Sequence, residues 1–253
     1  MNEMMAVDLG WWHWLVTYGI IVSATVLQAS VGFGFGLLAA PLLMLWQPEL
    51  IPGSLMVASL SLTVTMSIRG WRWVRGDLLF WMMLGVLPGL WLGAQLVQHL
   101  APHPMAFLFG VLVLGAVGIS AAGWHPPVRK QALLPAGICA AVLSVTTTMG
   151  GPPVALVLQS LPSMLFRHTL AMFFTLTGLL TLLSLAAIER VGWSEIALGV
   201  ALLPPVGVGI VLAQRVSAWL DQRRELLRWA ILTIAGLSGM VVMVRAWLTW
   251  PVS

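Results

Sequence analysis

Apolar residues run in long blocks along the chain, at about 13–31, 35–47, 51–69, 78–98, 104–123, 131–148, 152–165, 169–188, 195–214 and 228–248, and polar positions gather in the gaps. Roughly 20 residues of helix span the hydrocarbon core of a bilayer, so most blocks predict transmembrane helices. A β-barrel would show short alternating strands instead. Prolines 48, 52, 102, 104, 126 and 127 fall in gaps, and tryptophans sit at block ends, among them Trp11, Trp12, Trp46, Trp71, Trp73, Trp193 and Trp247. That is the pattern of an interfacial aromatic belt. The longest polar stretch, 221–228, predicts a loop.

Two runs are too long for one crossing and are broken near their middles. The run 14–46 contains Gly32-Phe33-Gly34-Phe35-Gly36, and the run 133–161 contains Met149-Gly150-Gly151-Pro152-Pro153. Glycines at alternate positions make poor helix interior. Broken backbone at membrane depth is tolerated only inside protein or beside a water-filled cavity. Gly34 and Gly150 lie 116 positions apart, and the same offset relates Ala24 to Ala140, Leu27 to Leu143, Thr65 to Thr181, Pro88 to Pro204 and Gly93 to Gly209. The expectation is two repeats, residues 1–124 and 131–253, joined by a cytoplasmic linker at 125–130.

Composition agrees: 60% of the 253 residues are apolar and 8% charged, with a mean hydropathy of +0.98. The net charge of +4 is scattered through short loops and does not suggest nucleic acid. Cys139 is the single cysteine, so no internal disulfide or thiolate cluster is expected. Residues 1–10 carry Glu3 and Asp8 and no lysine or arginine, so the first apolar run is expected to be retained rather than cleaved as a signal peptide.

Charge placement predicts the relation between the halves. Arg69, Arg72 and Arg75 follow the third block, whereas the equivalent second-half gap holds Glu189, Arg190 and Glu195. The next gap of the first half, 99–104, lacks lysine and arginine, and its counterpart holds Arg215, Arg223, Arg224 and Arg228. Positive loops face the cytoplasm, so the halves are expected to be inverted. The predicted fold is an all-α polytopic membrane protein with two inverted-topology repeats. Each is a broken or re-entrant helix pair followed by three transmembrane helices. The inner membrane of a bacterium is the expected location, with both termini outside; Arg245 fits this least well.

Inverted repeats with interrupted helices are the pattern of secondary transporters. A helix that starts inside the membrane presents unpaired N–H groups and the positive end of its dipole, which attract anions. Gln28, Ser30, Gly32, Gly34 and Gly36 surround one break, and Ser144, Thr146, Thr147, Thr148, Gly150, Gly151 and Gln159 the other. These donors suit an oxyanion. The competing reading is that the glycines serve helix packing and the hydroxyls bond back to their own helices. Arg167 admits two readings, a fixed counter-ion for the substrate or a cytoplasmic anchor in a loop after the second broken run. His168 could carry a proton or simply sit at the interface. No carboxylate falls mid-block, where proton relays keep one.

Val31-Gly32-Phe33-Gly34-Phe35-Gly36 with Pro41-Leu42-Leu43 resembles the first signature of the TauE/SafE family of bacterial anion permeases. Met149-Gly150-Gly151-Pro152-Pro153, with Leu161-Pro162 and the stretch 166–174, resembles its second. The resemblance covers nearly the whole chain. It implies movement of a small sulfur-containing anion (sulfite, sulfoacetate or another organosulfonate) across the inner membrane, with export as the expected direction. Thr148 stands where glycine is common in the family, which bears on pocket size. No cofactor, metal or catalytic residue is expected. Coupling to protons and a homodimer are open partners of this reading. A passive channel of the same architecture is the first alternative. An intramembrane enzyme is weaker, since no nucleophile and base or metal set is evident. A structural subunit leaves the paired breaks without a role.

Overall fold

A computed structural model describes residues 11–121, 128–222 and 224–248. They form eleven helices: α1 (Trp11–Val31), α2 (Phe35–Trp46), α3 (Gly53–Gly70), α4 (Gly76–His99), α5 (Pro102–Ala121), α6 (Lys130–Thr147), α7 (Gly151–Leu158), α8 (Ser163–Ala187), α9 (Trp193–Ala201), α10 (Leu203–Gln222) and α11 (Arg224–Leu248). Among the described residues there is no strand. Trp11–Val31, Gly76–His99, Lys130–Thr147, Ser163–Ala187 and the span Trp193–Val216 are each long and apolar enough to cross a membrane, and α2 is a shorter apolar helix. The chain is an all-α polytopic membrane protein. Trp11, Trp12, Trp71, Trp73, Trp193 and Trp247 are all exposed near helix ends. Glu3, Asp8, Pro126, Pro127, Arg223 and most of the expected linker lie outside the described residues.

Three expectations need correction. The block 152–165 is not one helix: α7 stops at Leu158 and α8 begins at Ser163, so Arg167 and His168 belong to the second turn of α8 and not to a loop. The block 195–214 divides at Leu202 into α9 and α10. Its cause is Pro204-Pro205, which removes two successive N–H donors from the helical ladder. The carbonyl of Ala201, which a residue at 205 would otherwise engage, accepts the hydroxyl of Tyr18 at 3.0 Å. Such rescue by a neighbouring helix is what lipid-embedded proline needs. A single proline, Pro88, leaves α4 unbroken. The stretch 221–228 is largely helical, since α10 runs to Gln222 and α11 starts at Arg224.

Both broken runs fold back on themselves. At the open end of the first hairpin, the Thr17 hydroxyl donates to Gln47 Oε1 at 2.5 Å, and the rings of His13 and Trp46 stack 5.1 Å apart. In the second, Gly150 has returned to the level of Ala140, whose carbonyl lies 2.6 Å from the position of a Cβ. The other helices pack tightly on glycine. Gly85, Gly89 and Gly93 of α4 each meet successive turns of α6 backbone or side chain between Leu134 and Val145, so those two helices run parallel. Gly178 of α8 faces Met56 and Leu60 of α3, the Ser67 and Thr175 hydroxyls pair at 2.9 Å, and Gly70 abuts His168; α3 and α8 are antiparallel. Gly110 meets Met243 while Gly236 meets Val117, so α5 and α11 are antiparallel too.

The ends of the bundle differ in charge. At one end the Arg75 N–H donates to the Thr169 hydroxyl, Lys130 lies over the Trp81 ring, and Arg75 pairs with Asp77 at 2.7 Å. Arg69, Arg72, Arg129 and Arg167 belong to the same end. At the other, Gly53 packs on Val191 and Glu195, and Arg190 donates to the carbonyl of Val97. Glu49 and Glu189 are found there. The ends are therefore rich in arginine and in carboxylate respectively.

Candidate functional site

The tip of the first hairpin is built around Gln28. Its backbone carbonyl accepts the Gly32 N–H at 2.8 Å, and its side-chain Oε1 accepts the Phe35 N–H at 2.9 Å. Phe35 opens α2, so its N–H has no acceptor within the helix; Gln28 supplies one across the turn. Gly32 and Gly34 have φ of 103° and 118°, a left-handed conformation that costs other residues about 1–2 kcal/mol. With Oε1 engaged, what Gln28 has for a ligand is its NH2, a donor. The first-turn N–H groups of Gly36 and Leu37 are further donors that α2 itself does not use.

The second tip is made differently. α6 ends at Thr148, with φ 62°; its N–H bonds the Ser144 carbonyl at 3.1 Å, and the Met149 N–H reaches back to Leu143 at 3.3 Å. Glycine usually fills this left-handed helix-end position. A β-branched residue there is strained, and such strain gathers at functional sites. The Thr148 hydroxyl is buried and has no hydrogen-bond partner among the described residues. α7 then begins Gly151-Pro152-Pro153, where missing N–H groups cost little because the first turn leaves them unpaired anyway.

The two tips meet. A Cβ on Gly36 would lie 2.0 Å from the Thr148 carbonyl oxygen, so the start of α2 rests directly on the end of α6. Between them is a cavity of about 40 Å³, which is space for roughly three waters. Of the residues singled out from the sequence, Gln28, Gly34, Gly36, Thr148, Gly150 and Gly151 line it, as does Ser144. Pro152, Leu37 and Met149 complete the tips. Helices α3 and α8 close the sides with Met56, Ser59, Phe173, Phe174, Thr177 and Gly178. These were not legible: a serine or threonine in an apolar helix carries no sign of which neighbour it faces. Thr177 donates to Met83 Sδ at 3.9 Å, and Thr181 behind the cavity donates to Ser144 at 3.3 Å.

The remaining candidates lie outside this lining. Thr146 and Thr147 donate back to the carbonyls of Val142 and Leu143 at 2.8 and 2.7 Å. The Ser30 hydroxyl, beside the tip, is buried without a partner among the described residues. Arg167 donates to the Ala29 carbonyl near the end of α1, where helix-end carbonyls have no partner of their own. Its Cα and Cγ cover Gly32, 3.3 and 3.0 Å from where a Cβ would be. Gln159 is exposed beyond the end of α7. No charged side chain is among the described residues lining the cavity. Its polarity comes from hydroxyls, an amide and helix starts.

Such a cavity can hold a small anion without burying a formal countercharge. Its described lining holds serine and threonine hydroxyls and one amide side chain, and no histidine, cysteine or carboxylate. A family model described as sulfite exporter TauE/SafE matches residues 17–242. No curated protein and no solved structure matches the chain.

Proposed function

The chain belongs to the sulfite exporter TauE/SafE family, and we propose that it is a secondary transporter exporting a small sulfur-containing anion across the inner membrane. The observation that carries this is Thr148. A strained backbone and an unpartnered hydroxyl, both buried where two re-entrant tips meet, are costly features that a ligand would repay. Gly36, Leu37, Gln28, Thr148 and Ser144, which carry two helix-start amides, a side-chain NH2 and two hydroxyls, line the same space. All are donors or can be, which matches an oxyanion. The volume of about 40 Å³ suits a compact ion such as sulfite better than an organosulfonate such as sulfoacetate.

The proposal includes an inverted arrangement of the halves. The elements of the second half follow those of the first: α6 and α7 answer α1 and α2, α8 answers α3, the pair α9 and α10 answers α4, and α11 answers α5. Helices that are each other's counterparts, α3 with α8 and α5 with α11, pack antiparallel, as an axis lying in the membrane plane requires. The arginine-rich end is then cytoplasmic by the positive-inside rule, and residues 11 and 248 lie outside.

The test is sulfite flux into proteoliposomes of the purified protein, with sulfate and an organosulfonate as competitors, compared with Thr148→Val. Valine keeps the branched shape and loses the hydroxyl. Flux that saturates, is competed, and falls at least tenfold in the variant supports a carrier with this site. Unsaturable flux, or a variant equal to the wild type, overturns it.

A further inference from the structure

Several hydroxyls near the hairpin cavity bond back to their own helices. Thr146 and Thr147 donate to carbonyls one turn earlier at 2.8 and 2.7 Å, and Thr175 of α8 does so at 2.9 Å. Thr181 behaves differently. It is fully buried and does not line the cavity, and its hydroxyl crosses from α8 to α6 to donate to Ser144 Oγ at 3.3 Å. A serine hydroxyl has one proton and two lone pairs. With one lone pair facing the Thr181 proton, the Ser144 proton must point elsewhere. Among the described residues Ser144 makes no back-bond to α6 of the kind that Thr146 and Thr147 make. Ser144 lines the cavity, so its proton is available there.

Gln28 is treated alike across the cavity. Its Oε1 accepts the Phe35 N–H at 2.9 Å, which leaves its NH2. At the offset of 116 residues Gln28 corresponds to Ser144. Each of these two lining residues has an acceptor engaged by a protein donor, and neither donor residue, Phe35 or Thr181, lines the cavity itself. An inward-facing acceptor would oppose an oxyanion, whereas an engaged one leaves the donor, and accepting a hydrogen bond strengthens the donor on the same group.

Resting on the transport reading above, we infer that Thr181 is a positioning residue of the anion site. It holds Ser144 as a donor, as the Phe35 N–H holds Gln28, so that the cavity takes donors from both tips and selects a ligand with acceptors to match, an oxyanion.

The test uses the full chain in phosphatidylcholine nanodiscs, titrated calorimetrically with sulfite. Thr181→Val keeps the branched shape and removes the hydroxyl; it should weaken sulfite binding roughly three- to tenfold and melt within about 4 °C of the wild type. Thr181→Ser should restore wild-type affinity. Ser144→Ala should weaken binding at least about tenfold, and adding Thr181→Val to it should change affinity less than about twofold, because Thr181 acts only through Ser144. Thr175→Val, another hydroxyl removed from α8, should bind as the wild type does. In proteoliposomes Thr181→Val should raise KM for sulfite by the same factor with kcat nearly unchanged. Thr181→Val binding that equals the wild type, equal losses in the presence and absence of Ser144, or an equal loss in Thr175→Val would each overturn the positioning role while the transport reading stands. If Ser144→Ala and Thr148→Val both bind and transport sulfite normally, the hairpin site itself falls.

Discussion

Replacing Gly36 with alanine tests the meeting of the two tips with one methyl group. The added Cβ would sit 2.0 Å from the Thr148 carbonyl oxygen, 2.8 Å from its carbon and 3.3 Å from the Met149 Cα. Comfortable carbon–oxygen approaches are about 3.3 Å or more, so the two backbones must separate by roughly 1 Å. Neither can yield as a side-chain end would, because one is the first turn of α2 and the other the last turn of α6. Overpacking of this kind costs about 1–3 kcal/mol, and backbone on both sides argues for the upper part of that range. At roughly 2–4 °C per kcal/mol, melting in detergent should fall by about 5–10 °C, and sulfite flux should be lost as the cavity is pried open. Gly151→Ala is the control. Its Cβ would meet Phe33 and Phe174 at 3.5–3.7 Å, ordinary contact distances, and alanine is up to about 1 kcal/mol the better helix former. Its melting temperature should equal or exceed that of the wild type. A Gly36→Ala protein that melts and transports normally would refute the close packing of the tips.

Two further predictions follow from the same geometry. Gln28→Glu keeps an acceptor for the Phe35 N–H while placing negative charge in the cavity; melting should be nearly unchanged and sulfite flux should fall more than tenfold, and retained flux would sink the anion reading. In a Cys139→Ala background, a membrane-impermeant maleimide should label Ser194→Cys in intact cells and Trp73→Cys only after permeabilisation; the opposite pattern, or equal labelling, would refute the orientation drawn from charge.

What the sequence revealed was mostly backbone necessity and charge. Gly32 and Gly34 stand out in an apolar run because the chain reverses there with positive φ, a requirement that side-chain chemistry cannot disguise. Arginines mark one end because few other positions tolerate them near lipid. Packing between distant helices left no comparable trace. Met56, Ser59 and Thr177 reach the cavity only because α3 and α8 cross antiparallel at Gly178. Arg167 reads as a loop residue in the sequence because it falls in the gap between the blocks 152–165 and 169–188, whereas Pro162, inside the first block, marks the start of α8. The division of α9 from α10 turned on a second proline at 205 beside one whose counterpart, Pro88, left its helix whole.

On the proposed repeat, the two tips differ in a definite way. At the 116-residue offset, Gly36 and Leu37 correspond to Pro152 and Pro153, and Gly32 corresponds to Thr148. The second half has therefore lost two backbone N–H donors and gained a hydroxyl one turn earlier, at a strained position. Both tips still present donors to the shared cavity, one through amides and the other through a side chain. Prolines pre-organise α7 at its first turn, so the second tip is the stiffer of the two. The first tip, with glycines at 32, 34 and 36, has the backbone freedom to move against it. On the proposed carrier reading, which needs one rigid reference and one element that shifts, the glycine-rich hairpin, held by Arg167 at Ala29, is the part with the composition to move.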